Sequence, residues 1–178
     1  MRQTPETRKT CSLLVLLFPS LLSAQAQRPP RGPDAIEGPD KAMMQHVIAL
    51  VKYMEHVSGA VLPPVFAPHE LMILEDFAPY VFRGNDAAAL WDAGFRNHAA
   101  RLSDLHCALG PPHDFGRSGN RVYFVLPTTW RGVYLESRRF EEHGAWSFVL
   151  QESSGKWRIL AYGWGATDRT DVPAVASH

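Results

Sequence analysis

Charge of one sign is the first thing this 178-residue sequence lacks: 18 Lys and Arg face 18 Asp and Glu, for a formal net charge of zero with the eight His neutral. Without a basic excess or a block of one sign, it is not built to work on nucleic-acid phosphates. Cysteine is scarce. Cys11 and Cys107 are too few for a disulfide scaffold and show no metal-ligand spacing, which excludes zinc ribbons and small secreted knots. No apolar run reaches the roughly 20 residues of a membrane-spanning helix, and no repeat of about 20 to 50 residues marks a solenoid or propeller. There is no Gly-x-Ser-x-Gly elbow and no phosphate-cradling glycine loop, and Gly163-Trp164-Gly165 lies in a strand pattern rather than a strand-to-helix turn. The His residues fall in no metal spacing. No metal and no cofactor is expected.

What is present is an ordinary globular composition, 46% apolar and 20% charged. The first 26 residues stand apart. Arg2, Arg8 and Lys9 lead an apolar stretch from Leu13 to Leu22, and Ala24-Gln25-Ala26 follows it, the pattern of a secretory signal peptide over residues 1–26. Removing that segment, with three basic residues and one acidic, leaves 152 residues of formal charge −2. The expectation is a secreted or periplasmic protein, free of the membrane after cleavage, whose surviving Cys107 is buried and inert. A domain near 150 residues can bury about 70% of its unfolded surface and needs no covalent staple.

Residues 27–39 hold four Pro and two Gly and read as a flexible lead-in. A helix is predicted over 40–58, because Met43, Val47, Leu50, Met54 and Val57 recur at intervals of three and four. Residues 71–74 read as a short buried strand. A second helix, capped by Asn85-Asp86, is predicted to end near Asp104, with Leu90, Trp91, Phe95, His98 and Leu102 along one face. From Leu105 onward Val, Phe, Tyr and Trp dominate between turn signals, the mark of antiparallel strands. One strand covers 121–126 and is interrupted by Pro127. The next covers 144–152, with Trp146, Phe148 and Leu150 on one face. A last strand covers 156–167, with Trp157, Ile159 and Ala161 alternating against Leu160, Tyr162 and Trp164, and residues 168–178 form a tail. Helices first and strands afterwards is the order of an α+β domain, a cone-shaped roll of N-terminal helices on a curved antiparallel sheet with a cavity at its open end.

Three stretches in that order carry a resemblance: Val51-Lys52-Tyr53-Met54-Glu55, Ile73-Leu74-Glu75-Asp76-Phe77-Ala78-Pro79 running on to Arg83-Gly84, and Gly155-Lys156-Trp157-Arg158-Ile159 leading to Tyr162-Gly163-Trp164. Over residues 40–167 the chain resembles the nuclear transport factor 2-like superfamily of cystatin-like folds, with its SnoaL-like cyclases and ketosteroid isomerases. In those isomerases a helical tyrosine steadies a dienolate oxygen, a carboxylate after the first strand moves the proton, and a protonated carboxyl completes the oxyanion hole. The resemblance implies Tyr53 for the first role and Asp76 for the second. The third place falls near Trp146 or Ser147, neither of which can be a protonated acid.

Two uses of such a cavity stay open, and a third reading needs none. The first is a binding domain that takes a small apolar or aromatic molecule without catalysis, its pocket drawn from Trp91, His98, Trp130, Trp146 and Trp164. The second is an isomerase or cyclase with Asp76 as general base on a carbonyl compound and Tyr53 assisting. The third is a dimerisation or protein-interaction module, with a homodimer formed through the open sheet face.

Overall fold

A computed structural model describes residues 38–135 and 138–172. The export segment 1–26, residues 27–37 of the lead-in and residues 173–178 of the expected tail lie outside the described residues. Helix α1 spans Lys41–Glu55. Its N-terminus is capped by Asp40, whose carboxylate accepts from the Met43 N–H at 2.9 Å and so satisfies a donor that has no partner within the helix. Met43, Val47, Leu50 and Met54 are buried as the stripe predicts, with Val51 and Tyr53 beside them. The helix stops short of residue 58 because the His56 N–H turns to the Tyr53 carbonyl at 3.2 Å, and Gly59 follows at φ +79°.

Strands β1 (Met72–Leu74) and β2 (Val81–Arg83) form a small antiparallel pair before helix α2 (Ala87–Ala99). Trp91 and Phe95 are buried on α2 with Ala87 and Ala99, a spacing of four throughout. Leu90 precedes that stripe by one residue, about 100° round the helix, and is 57% exposed instead of facing the core. Leu102 belongs to the following strand. The helix ends before Asp104, which sits at φ +50° beside a register shift and cannot continue a right-handed helix.

Strands β3 (Leu102–Leu109), β4 (His113–Ser118), β5 (Arg121–Tyr134), β6 (Arg139–Ser153) and β7 (Lys156–Val172) complete a seven-stranded sheet ordered β2-β1-β7-β6-β5-β3, with β4 also on β5. The α+β order is as expected, two helices on a curved, unclosed sheet. The sheet is mixed rather than wholly antiparallel, because β1 runs parallel to β7, Met72 beside Ala161 and Leu74 beside Gly163. Pro127 does not interrupt β5. Its carbonyl accepts from the Gly110 N–H at 2.7 Å, so its ring nitrogen faces the gap where β4 pairing ends at Val125 and β3 pairing begins at Thr128. No ladder bond is asked of the missing N–H there.

The hairpin of β6 and β7 carries the departure that matters most for function. Val149 pairs with Ala161, but the next residue, Leu150, pairs with Ile159, so Leu160 has no partner across the ladder. One unpaired residue reverses every later side chain. Trp157 and Ile159 therefore share the core with Tyr162, which plain alternation places on the opposite face. The last strand also runs on to Val172, through the first residues of the expected tail.

Candidate functional site

At the end of the sheet away from the β6–β7 turn, the concave face and the helices enclose a pit of about 60 Å³. Its walls are aromatic: Phe77 after β1, Phe95 on α2, Trp130 and Tyr134 on β5, Phe140 and Trp146 on β6, and Trp164 on β7. Trp146 is the hub, edge-on to Trp130 at 5.7 Å, to Trp164 at 5.9 Å and to Phe148 at 5.5 Å between ring centres. Gly144 makes the Trp164 wall feasible. A Cβ there would stand 2.5 Å from the Trp164 ring and 2.4 Å from the Gly165 carbonyl.

The polar groups of the pit are Glu75, Asp76, His98, Glu142 and Arg169. Strand alternation explains the first two. Leu71, Ile73 and Glu75 point inward and are buried, while Met72, Leu74 and Asp76 are exposed. Glu75, 8% exposed, accepts from the Trp91 indole N–H at 2.9 Å and from the Tyr162 hydroxyl. Both donors use Oε1, and no hydrogen bond reaches Oε2 from the described residues. Burial pushes the Glu75 carboxyl up to about 7, against two hydrogen bonds that favour the carboxylate; the Asp76 charge adds to the rise. Burial also raises the Tyr162 hydroxyl and, with Asp76, the Glu142 carboxyl.

His98 stands at the rim with its ring stacked on Phe77 at 5.1 Å. Desolvation lowers its pKa, Arg169 and Arg101 lower it further, and only Asp76 opposes them. The ring is therefore held toward its neutral form. A hydrogen-bond donor also lies in the wall. Trp146 is fully buried, and its indole Nε1 is the one buried side-chain nitrogen or oxygen without a hydrogen-bond partner among the described residues.

Outside the pit is a wider vestibule of about 530 Å³, bordered by His98, Arg101, Tyr134, Arg138, Arg169 and Asp171. Three of these residues, His98, Tyr134 and Arg169, line both spaces, so the pit opens into the vestibule. Among the described residues no group of three or more His, Cys, Asp or Glu is placed to hold a metal ion.

Asp76, His98, Trp130, Trp146 and Trp164 thus meet in one cavity. Trp91 lies beneath the floor and reaches the site through Glu75. Tyr53 is elsewhere, which corrects its pairing with Asp76: it does not line the pit, and its hydroxyl donates to Asp92. Sequence reasoning passed over Glu75, although extending the alternation of Leu71 and Ile73 by one step turns it inward. Tyr162 was hidden by the bulge at Leu160. Glu142 and Arg169 lie on strand extensions beyond the predicted ends.

No protein-family model matches the sequence, and no curated protein matches it. In three dimensions the chain is similar to a hexachlorocyclohexane dehydrochlorinase, LinA-type3 from Novosphingobium barchaimii LL02, with a TM-score of 0.64 at 9% identity over 75% of this chain and 90% of that one. It is similar to a putative scytalone dehydratase from Novosphingobium aromaticivorans, with a TM-score of 0.60 at 11% identity over 76% and 89%. A protein of cystatin-like fold from Caulobacter vibrioides gives 0.56 at 14% identity over 71% and 88%. At such identities the likeness speaks for the fold alone. Helix order, mixed curved sheet and these three structures agree that the chain has a cystatin-like fold.

Proposed function

We propose that the domain binds a small aromatic or apolar molecule whose oxygen-bearing end enters the pit. The reading rests on one observation above all, the unpartnered Trp146 N–H in a wall of aromatic rings. A buried donor without an acceptor costs roughly 1–3 kcal/mol, and a ligand carbonyl or hydroxyl oxygen relieves that cost. The pit alone is too small for a whole ligand of ordinary size, for which pockets run from about 300 to 1,000 Å³. Pit and vestibule together supply that space, so the ligand puts only its tip inside. The test is native mass spectrometry of the full chain purified from its own host, followed by titration of any retained compound into Trp146→Phe, which keeps a ring but removes the N–H. About tenfold weaker binding is expected. Equal binding by the variant would remove the main support.

A second reading, proton transfer on a carbonyl compound, is favoured by Glu75 rather than Asp76. A carboxyl with a pKa of about 7, held at Oε1 and open at Oε2, has the basicity and geometry of a general acid–base group. In this reading Glu75 takes a proton from the carbon beside the carbonyl, and the developing enolate oxygen accepts from Trp146. Its check is deuterium uptake from solvent into a panel of aryl ketones, present in the full chain with an inflection near pH 7 and absent in Glu75→Gln. Export remains a proposal resting on residues 1–26. A homodimer is likewise a proposal, supported by the exposed apolar side chains of Met72, Leu74 and Val81 on β1 and β2 and of Tyr80 in the turn between them.

A further inference from the structure

The vestibule differs from the pit in charge. The pit holds three carboxyl groups, Glu75, Asp76 and Glu142, whereas the vestibule is bordered by three arginines and the single carboxylate of Asp171. Arg138 meets Asp171 at 3.7 Å, and the cation is shared in part with that neighbour. Arg101 and Arg169 have no carboxylate within 4.0 Å among the described residues. Arg169 lies over the Tyr134 ring at 5.0 Å and the Phe140 ring at 5.5 Å, so its position is fixed at the boundary between the two spaces. A guanidinium stacked this way keeps its edge N–H donors free for a second partner.

We infer that the ligand is an organic acid, its carboxylate held in the vestibule by Arg101 and Arg169 and its uncharged ring or carbonyl end directed into the pit. The inference rests on the binding reading above and adds the ligand's chemical class. Charge sets the orientation: the pit's own carboxyl groups repel an anion, while the outer guanidinium groups attract it. The volumes agree, since pit and vestibule together have room for an aromatic ring with a short acid chain. Arg–carboxylate bonds are stronger than neutral ones by enough to produce about a tenfold preference or more for acid over uncharged analogue.

The experiment uses the full chain and matched pairs of probes: benzoate with benzamide, 3-phenylpropanoate with 3-phenylpropanamide, and 4-phenylbutanoate with its amide, each titrated calorimetrically at pH 7 and fixed ionic strength. At least one acid is expected to bind about tenfold or more tightly than its amide. Arg101→Gln and Arg169→Gln are each expected to weaken the acid about three- to tenfold and to leave the amide unchanged. Arg121→Gln, at the far end of β5, should change neither. Equal binding of acid and amide by the unmodified chain would overturn the anion inference and leave the binding reading standing. A preference for the acid that survives both substitutions would also overturn it, since the anion then sits elsewhere. Failure of every acid and amide to bind would overturn both.

Discussion

Two buried tyrosines in this protein donate to carboxylates, and their surroundings set them apart. Tyr53 donates to Asp92, and Arg96 completes the group: its Nε lies 3.2 Å from both Asp92 oxygens, while its terminal nitrogens donate to the Val57 and Ala60 carbonyls at 2.9 and 2.7 Å. A cation balances the anion, and the cluster ties α1 and its following loop to α2. Tyr162 donates to Glu75, where no cation among the described residues pairs with the carboxylate and one oxygen opens on the pit. The first arrangement braces the helical layer. The second leaves a carboxyl near the middle of its titration at neutral pH, which a brace has no use for and a binding or proton-transfer site does.

The largest effect that should separate the two is in the pH dependence of stability. The folded Glu75 carboxyl titrates at about 7, above its ordinary value of 4.5. Its contribution is therefore complete below pH 4.5 and is lost as pH rises through 7. Chemical denaturation should show the native chain losing on the order of 3 kcal/mol between pH 5 and pH 8.5 beyond any loss in Glu75→Gln; parallel profiles for the two would refute the poised carboxyl. Next comes Arg96→Met, which strands Asp92 and two carbonyls. It should cost about 2 kcal/mol, nearly constant over the same pH range, because the groups are partly solvated and the charge lost does not titrate there.

A smaller contrast comes from the tyrosines themselves. Tyr162→Phe removes a hydrogen bond that favours the Glu75 carboxylate, so the inflection in the stability profile should move to higher pH; Tyr53→Phe should leave it in place. Each should cost about 1 kcal/mol by thermal unfolding. Smallest of all is Trp146→Phe. It gives up ring volume but removes an unsatisfied donor, and its stability should stay within about 1 kcal/mol of the native chain even where ligand affinity falls.

The helical half of the fold was legible because its signals are local. The spacing of Met43, Val47, Leu50 and Met54 needs nothing beyond α1 itself, and the Trp91–Phe95 pair needs only α2. The aromatic walls at Trp130, Trp146 and Trp164 could be read because the last strands alternate strongly. The acidic half of the site was harder. Choosing between Glu75 and Asp76 requires knowing where β1 alternation continues past Leu74, and the resemblance favoured the exposed member of the pair. Tyr53 has the right type and place in the sequence, but its partner, Asp92, lies 39 residues away and is brought to it by helix packing. Glu142 and Arg169 stand opposite each other in adjacent strands, a relation set by the register of the whole hairpin.

That register gives Leu160 a significance unlike that of any side chain in the pit. It contributes no donor, acceptor or charge there, yet its place outside the ladder decides which way Tyr162 and Trp164 face. Deleting Leu160 would leave each cross-strand pair as it is, Leu150 beside Ile159 and Phe148 beside Tyr162. Drawing Leu160 into the ladder as a paired residue would instead keep every functional group in the sequence and still dismantle the site, turning Tyr162 away from Glu75 and Trp164 out of the wall. The chemistry of the pit is written partly in which residue the ladder leaves out, and not only in residue type.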